Sequence, residues 1–182
     1  MADVQVLLVP GGGGSDSGHW HHEWASDPHT SWVHQADQSG GSRADWVDTI
    51  EAAVAGAGGP VVLAAHSVAC IAVAHWAAGG STELVRGALL VAPADVEDDW
   101  AEPDSLYRRF APIPRERLPF RSLVVASSND PLLAVPRARR LAEDWDAQLV
   151  EIGPHLHVGA DADLGSWPLG RELLGRLLRS ED

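Results

Sequence analysis

Gly59-Pro60-Val61-Val62-Leu63-Ala64-Ala65-His66-Ser67-Val68-Ala69-Cys70-Ile71-Ala72-Val73-Ala74-His75-Trp76-Ala77-Ala78 is the stretch on which the reading of the chain turns. A Gly-Pro break releases a short β-branched run, Val61 to Ala65, that predicts a strand buried on both faces. After His66-Ser67 the apolar residues continue as an Ala-rich segment, which predicts a buried helix. Ser67 therefore falls on a strand-to-helix turn. Ala65 and Ala69, two residues before and after it, are small enough to let such a turn close and to lift the hydroxyl into the open, the geometry of a nucleophile elbow. Glycine is usual at both flanks, and this chain has alanine at both. Serine also caps helices well, so the turn alone leaves a capping role open.

Composition bounds what surrounds that stretch. A chain of 182 residues, 45% of them hydrophobic, suits one domain spanning 1–182 with a sizeable core. Its formal net charge of −13 argues against nucleic acid and anionic membrane as partners, because both attract clustered Arg or Lys. The single Cys70 excludes an internal disulfide. Cys70 lies near a helix start, where a thiol pKa can fall, but its apolar neighbours predict an inert core residue. The opening Met1-Ala2-Asp3-Val4-Gln5 lacks a basic, apolar leader, and no run approaches the ~20 apolar residues that cross a bilayer. These features predict a soluble, cytoplasmic protein.

Val4 to Val9, Val85 to Ala92, Ser122 to Ser127 and Gln148 to Ile152 predict further buried strands, and Trp32 to Gln35 a short one. Helices are predicted from Asp45 to Val54, from Val135 to Trp145 with Arg137, Arg139 and Arg140 toward solvent, and from Gly170 to Leu178. Strands alternating with helices imply an α/β protein, a three-layer α/β/α sandwich around a mostly parallel sheet of about six strands. Pro93 to Phe120, rich in Pro and acidic groups and then in Arg, reads either as a specificity loop or as a solvated cap.

Functional groups of such sheets collect at the carboxyl ends of the strands. Ser67 follows one strand, Asp130 in Ser127-Ser128-Asn129-Asp130-Pro131 another, and His157 the last, so the chain order is Ser, Asp, His. An imidazole can accept the serine proton, and a carboxylate on its far nitrogen sets the tautomer and stabilises the imidazolium. Pro10-Gly11-Gly12-Gly13-Gly14-Ser15 leaves backbone N–H groups free at a strand end, so Gly12 and Val68 are the predicted oxyanion donors, with Gly11 and Gly13 beside them. No Gly-Lys-Ser/Thr closes the run, which argues against a phosphate loop. His19-Trp20-His21-His22-Glu23-Trp24 reads as a short helix with an aromatic face and lacks the second cluster a metal shell would need. His66 is expected to pack or bond beside Ser67, and His75 to be a satisfied core histidine.

Val9-Pro10-Gly11-x-Gly13-Gly14-Ser15, His19-Trp20, Ala65-His66-Ser67, Ala111-Pro112-Ile113-Pro114, Leu118-Pro119-Phe120, Ser127-x-Asn129-Asp130-Pro131 and Leu164-Gly165-x-Trp167-Pro168-x-Gly170 together resemble the small serine hydrolases of the retinoblastoma-binding-protein-9-like family. The resemblance implies a compact α/β-hydrolase fold without a large lid, a triad on Ser67, Asp130 and His157, and Trp20 and Trp167 near the mouth of the site. Ala69 stands where that family has Gly, and Leu156-His157-Val158-Gly159 replaces its usual Gly-His-Ile-Asn.

The residues and the resemblance point to hydrolysis of a small-molecule ester, thioester or amide through an acyl-enzyme, with no cofactor or metal implied. With no lid domain apparent, Ser67 is expected to be open to solvent. His19, Trp20, His66 and Trp167 join Gly11 and Gly13 as candidate pocket residues. An acyltransferase or cyclase would use the same triad, and a non-catalytic binding protein would keep only the scaffold. Oligomeric state is not encoded in any of these features.

Overall fold

Alternation along the central strands divides their side chains between two cores. The computed structural model describes residues 3–179, in the order β1 (Gln5–Val9), α1 (Trp20–Trp24), β2 (Thr30–Trp32), α2 (Arg43–Gly56), β3 (Val61–His66), α3 (Val68–Ala77), β4 (Val85–Val91), β5 (Arg121–Ala126), α4 (Val135–Asp144), β6 (Gln148–Glu151) and α5 (Pro168–Leu178). Met1 and Ala2, which open the segment read for a leader, lie outside the described residues. The strands form one sheet in the order β2-β1-β3-β4-β5-β6, and every neighbouring pair is parallel. Leu7, Val9, Leu63, Ala65, Ala88, Leu90, Val124 and Ala126 face one core, with Trp46, Ile50 and Val54 of α2, the eight buried residues of α3, and Ala138 and Leu141 of α4. Val6, Leu8, Val62, Ala64, Leu89, Val91, Leu123 and Val125 face the other, against Trp20 and Trp24 of α1 and Leu173, Leu174 and Leu177 of α5. A strand such as β3, buried at all six positions, carries no polar face because both sides are covered. The result is the expected three-layer α/β/α sandwich.

Three local features differ from the sequence reading. The edge strand β2 pairs Thr30, Ser31 and Trp32 with Val6, Leu7 and Leu8, so it lies upstream of the expected Trp32 to Gln35. An edge strand bonded on one side needs no continuous apolar run, and the buried Val33 follows its end while still donating its N–H to the Leu8 carbonyl. Helix α2 starts at Arg43, ahead of Asp45, because Ser42 and Asp45 form a capping box, each side chain accepting from the other's backbone N–H. Arg137 does not point to open solvent. Its guanidinium pairs with Asp95 and Glu97, and Glu97 also holds Arg115 at 2.5 Å, which ties residues 93–120 to α4.

That connection is no solvated cap. Val96, Leu106, Phe110, Ile113 and Leu118 are buried in the core that α3 faces, and a short 3-10 turn, Tyr107–Phe110, runs beside that helix. Burying a Leu- or Phe-sized side chain contributes about 1.5–3 kcal/mol, so this irregular segment is anchored as firmly as a helix. Among the described residues, no helix is long and apolar enough to cross a membrane.

Candidate active site

From β1 the chain goes to β2 at the sheet's edge, then returns to place β3 on the opposite side of β1. Connections thus diverge at the carboxyl ends of β1 and β3, the point where open α/β sheets leave a crevice. Val9 pairs with Ala65 at that end, so the glycine run after β1 and Ser67 after β3 emerge side by side.

Ser67 has φ 59° and ψ −129°, a conformation L-residues rarely adopt, and its N–H donates to the Val91 carbonyl at 3.0 Å. Its side chain makes no cap hydrogen bond to α3, which removes the capping alternative. The hydroxyl instead lies 2.8 Å from His157 Nε2. On the far side of that ring, Nδ1 lies 2.9 Å from both Asp130 oxygens. A ring that donates from Nδ1 to a carboxylate presents a lone pair at Nε2, so the Ser67 hydroxyl is the donor in the 2.8 Å contact. The Asp130 side chain is wholly buried and His157's is 19% exposed. Asp130 Oδ1 also accepts from the Leu132 N–H at 2.8 Å, which orients the carboxylate.

The loop carrying His157 is held by the end of β5. Ser127 Oγ accepts from the His155 N–H and Asn129 Oδ1 from the Leu156 N–H, each at 2.8 Å, while the Ser127 hydroxyl donates to Asn129 Oδ1 at 3.0 Å. His66 Nε2–H donates to the His157 carbonyl at 2.8 Å, and Trp20 Nε1–H to the Val158 carbonyl at 3.0 Å. Leu156 and Val158, on either side of His157, have φ of 49° and 53°. Two non-glycine residues in the left-handed region around one functional side chain mark a strained loop that its neighbours must hold in place.

Opposite His157 stands the glycine run. A Cβ on Gly11 would lie 2.9 Å from Ser67 Cβ and 3.0 Å from the His66 carbonyl, so only glycine lets β1's exit pass this close to the elbow. A Cβ on Gly12 would lie 3.0 Å from the Tyr107 hydroxyl. The Gly13 N–H is engaged by the Gln38 carbonyl, whereas among the described residues no group accepts from the N–H of Gly12 or of Val68. Tyr107 also interacts with the Ser67 side chain. Ser67 is only 3% exposed, contrary to the expectation of an open serine: the ordered connection 93–120, not a separate lid domain, brings Tyr107 over it.

Behind the site is a cluster of buried imidazoles. The His19 ring lies 4.6 Å from both the His21 and His66 rings, and His66 lies 5.0 Å from His157. Burial, followed by the fields of His22 and His157, lowers His19 to about 4; burial and neighbouring histidines also lower His21 and His66. His66 thus bonds beside Ser67, as its sequence position suggests. Trp20 and Trp167 are buried, with ring centres 5.1 Å apart, and Trp167 stacks on Trp24 at 5.8 Å. They brace the His157 loop from the core and do not form an open pocket wall. His75 is half-buried and donates from Nε2 to the Phe110 carbonyl at 2.7 Å, while burial pushes the Cys70 thiol well up, as suits an inert core residue. Among the described residues, no three His, Cys, Asp or Glu side chains are grouped to hold a metal ion.

Sequence reasoning gave no role to Tyr107, Ser127 or Asn129. Tyr107 sits in a segment without periodicity, where nothing local says which way a ring points. Ser127 and Asn129 had a readable signal, two short polar side chains in a strand-end turn of the kind that bonds backbone N–H groups.

The chain matches the family model described as serine hydrolase over residues 6–176. No curated protein matches it in sequence. Among solved structures, a protein described as a YdeN-like hydrolase of Pectobacterium atrosepticum is 32% identical, with TM-score 0.83, over 97% of this chain and 91% of that one. The ydeN gene product of B. subtilis is 20% identical with TM-score 0.68, over 96% of this chain and 98% of its own. A monoacylglycerol lipase of Paleococcus ferrophilus is 13% identical with TM-score 0.68, over 97% of this chain and 96% of its own. The last two likenesses speak for the compact α/β-hydrolase fold alone. With the family model covering nearly the whole sheet and its helices, the chain belongs to the serine hydrolase family.

Proposed function

We propose that the protein hydrolyses a small ester, thioester or amide through an acyl-enzyme on Ser67. The observation that carries this reading is the hydrogen-bonded line from the Ser67 hydroxyl through His157 to Asp130, at 2.8 Å and 2.9 Å. His157 Nε2 takes the hydroxyl proton as Oγ bonds the acyl carbon, and the carbonyl π pair moves onto its oxygen. The N–H groups of Gly12 and Val68 receive that oxyanion, and a donor of this kind lowers the barrier by about 3 kcal/mol. Collapse of the adduct breaks the bond to the leaving group, which takes the proton from Nε2. Water then repeats the sequence, giving the acid and restoring Ser67. Asp130 holds the Nδ1 proton throughout and stabilises the imidazolium. These steps draw on no cofactor.

Within the family we group the chain with the retinoblastoma-binding-protein-9-like hydrolases, supported by Ser127-x-Asn129-Asp130-Pro131 and Leu164-Gly165-x-Trp167-Pro168-x-Gly170. One observation favours a second reading: with Ser67 3% exposed, an acyl group bound there is poorly placed for bulk water, as an acyltransferase would require. Intact mass after treatment with a fluorophosphonate tests the primary reading. A single adduct, absent in Ser67→Ala, is expected, and a folded wild-type protein that takes up no adduct overturns it. Free acid as the main product of p-nitrophenyl acetate in the presence of added alcohols and amines decides for hydrolysis. An acyl-enzyme that only one such acceptor discharges decides for transfer.

A further inference from the structure

Tyr107 starts the 3-10 turn of the connection between β4 and β5, and its surroundings leave it little freedom. Phe110 is fully buried, and Leu106 is buried so that a Cβ on Gly12 would meet its Cδ2 at 3.1 Å. Arg108 donates to the carbonyls of Ala101, Glu97 and Asp98, and Arg109 to that of Gly40. The ring is thereby laid against the Gly12 backbone, its hydroxyl 3.0 Å from where a Gly12 Cβ would stand and in interaction with the Ser67 side chain. Three hydrogen-bond donors therefore belong to residues at or beside the elbow: the N–H groups of Gly12 and Val68 and the Tyr107 hydroxyl. Only the last belongs to a side chain, and the elbow motif does not call for it.

We propose that Tyr107 is a further catalytic residue, whose phenol donates first to Ser67 Oγ as negative charge develops there and then to the oxyanion on the same acyl carbon. The proposal rests on the serine-hydrolase reading above. In each adduct the two oxygens are bonded to one carbon, so a donor positioned at Oγ reaches the second oxygen with a small rotation. Its proton never leaves it: the transferred proton travels between Oγ, His157 Nε2 and the leaving group, and the phenol contributes a dipole only. Burial raises the Tyr107 pKa above its ordinary value, against a smaller lowering by the Ser67 contact, so the group stays an O–H donor at neutral pH. A phenol that merely covered the serine would need its ring and not its hydroxyl. That distinction makes the proposal testable.

The experiment measures kcat, KM and the rate of fluorophosphonate labelling for wild type, Tyr107→Phe, Tyr107→Ala and Ser67→Ala, with thermal melting as the check on folding. For Tyr107→Phe, kcat and labelling rate should fall together by about 10²–10³-fold, with KM within about twofold, as for loss of one oxyanion donor. A Phe variant with wild-type kcat overturns the proposal, and if Tyr107→Ala is then faster than wild type the ring is only a cover. A second arm installs 3,5-difluorotyrosine at 107, whose phenol ionises near neutrality. Its kcat should be lost as pH rises through that ionisation, because a phenolate cannot donate, and a pH profile identical to wild type overturns the proposal even if Tyr107→Phe fails to fold. Should Ser67→Ala keep full activity, the hydrolase reading itself fails. Should Ser67→Ala be dead and Tyr107→Phe be fully active, only the role of Tyr107 fails.

Discussion

The two partners of the 2.8 Å contact between Ser67 and His157 are held in opposite ways. Ser67 stands between a strand buried at every position and a helix in which eight of ten residues are buried, so apolar packing on both sides sets its place. His157 stands in a half-exposed loop with two strained neighbours, held by hydrogen bonds that its N–H groups donate to Ser127 and Asn129 and that its carbonyls accept from His66 and Trp20. Packing is spread over many contacts, each small, whereas a hydrogen-bonded clamp concentrates position in a few directional ones. Ser67 should therefore tolerate changes around it that His157 does not, except where backbone meets backbone without a side chain to give way.

The largest effect should come from His157, the proposed base. His157→Ala is expected to lower kcat by about 10⁶-fold, as removal of the base does in such triads. His155→Ala should cost under about tenfold, since only its backbone N–H joins the clamp. Steady-state assays of the pair check this, and the reverse ranking would exchange the two assignments.

Gly11→Ala probes the elbow where it has no slack. The new Cβ, 2.9 Å from Ser67 Cβ and 3.0 Å from the His66 carbonyl, must displace one of them. A shift of that size should reduce kcat by about 10²-fold. A crystal structure of the variant should show Ser67 moved from His157, and unchanged kinetics would mean the glycine run yields first.

Asn129→Ala tests the clamp. It removes the acceptor for the Leu156 N–H and the Ser127 hydroxyl, at a cost of about 1–3 kcal/mol in stability and about tenfold in kcat. Denaturant unfolding together with kinetics would detect it. A loss of stability with full activity would show that His66 and Trp20 suffice to hold the loop.

Acid should weaken the whole support. His19, His21 and His66 titrate below 6.5 in the fold, His19 at about 4, and near 6.5 once unfolded. Between those values the unfolded chain binds more protons than the folded one, so stability is full above 6.5 and declines as pH falls toward 4. Each of these histidines adds to the slope. Melting curves across that range measure it, and His21→Gln should reduce the slope.

The smallest effect concerns Leu156, 44% exposed with φ 49°. Leu156→Gly relieves about 1–2 kcal/mol of left-handed strain and adds about 0.5–1 kcal/mol of unfolded-chain entropy. Thermal melting should show stabilisation of no more than about 1 kcal/mol, and a fall in stability would mean that the Leu side chain packs more than its exposure suggests.

What the sequence made legible follows the same division. The runs at Val61 to Ala65 and Ser122 to Ser127 declared themselves because a strand covered on both faces must be apolar throughout, and the order Ser67, Asp130, His157 followed from reading strand ends. Strand β2 eluded the reading because an edge paired on one side leaves a weak pattern. Arg137 was misread because a charged residue on an amphipathic helix looks the same whether it meets water or a carboxylate pair. Tyr107 and the burial of Ser67 depend on how an aperiodic segment folds back, which is decided by Leu106, Phe110 and Ile113 finding the core and by no spacing in the chain.

The parallel sheet also imposes a timetable on the protein's birth. Every crossover must be completed before the next strand can dock, and His157 follows β6, the strand at the far edge of the sheet. A chain emerging from the ribosome therefore presents its serine, elbow and glycine run while the base is still in the tunnel, and domains assemble as units from the N-terminal side. With His157 as the proposed base, Ser67 stays unactivated until β6 and the loop after it are in place. On the proposed mechanism, turnover then reports a finished molecule, and a partly made copy lacks the base with which to attack acyl groups.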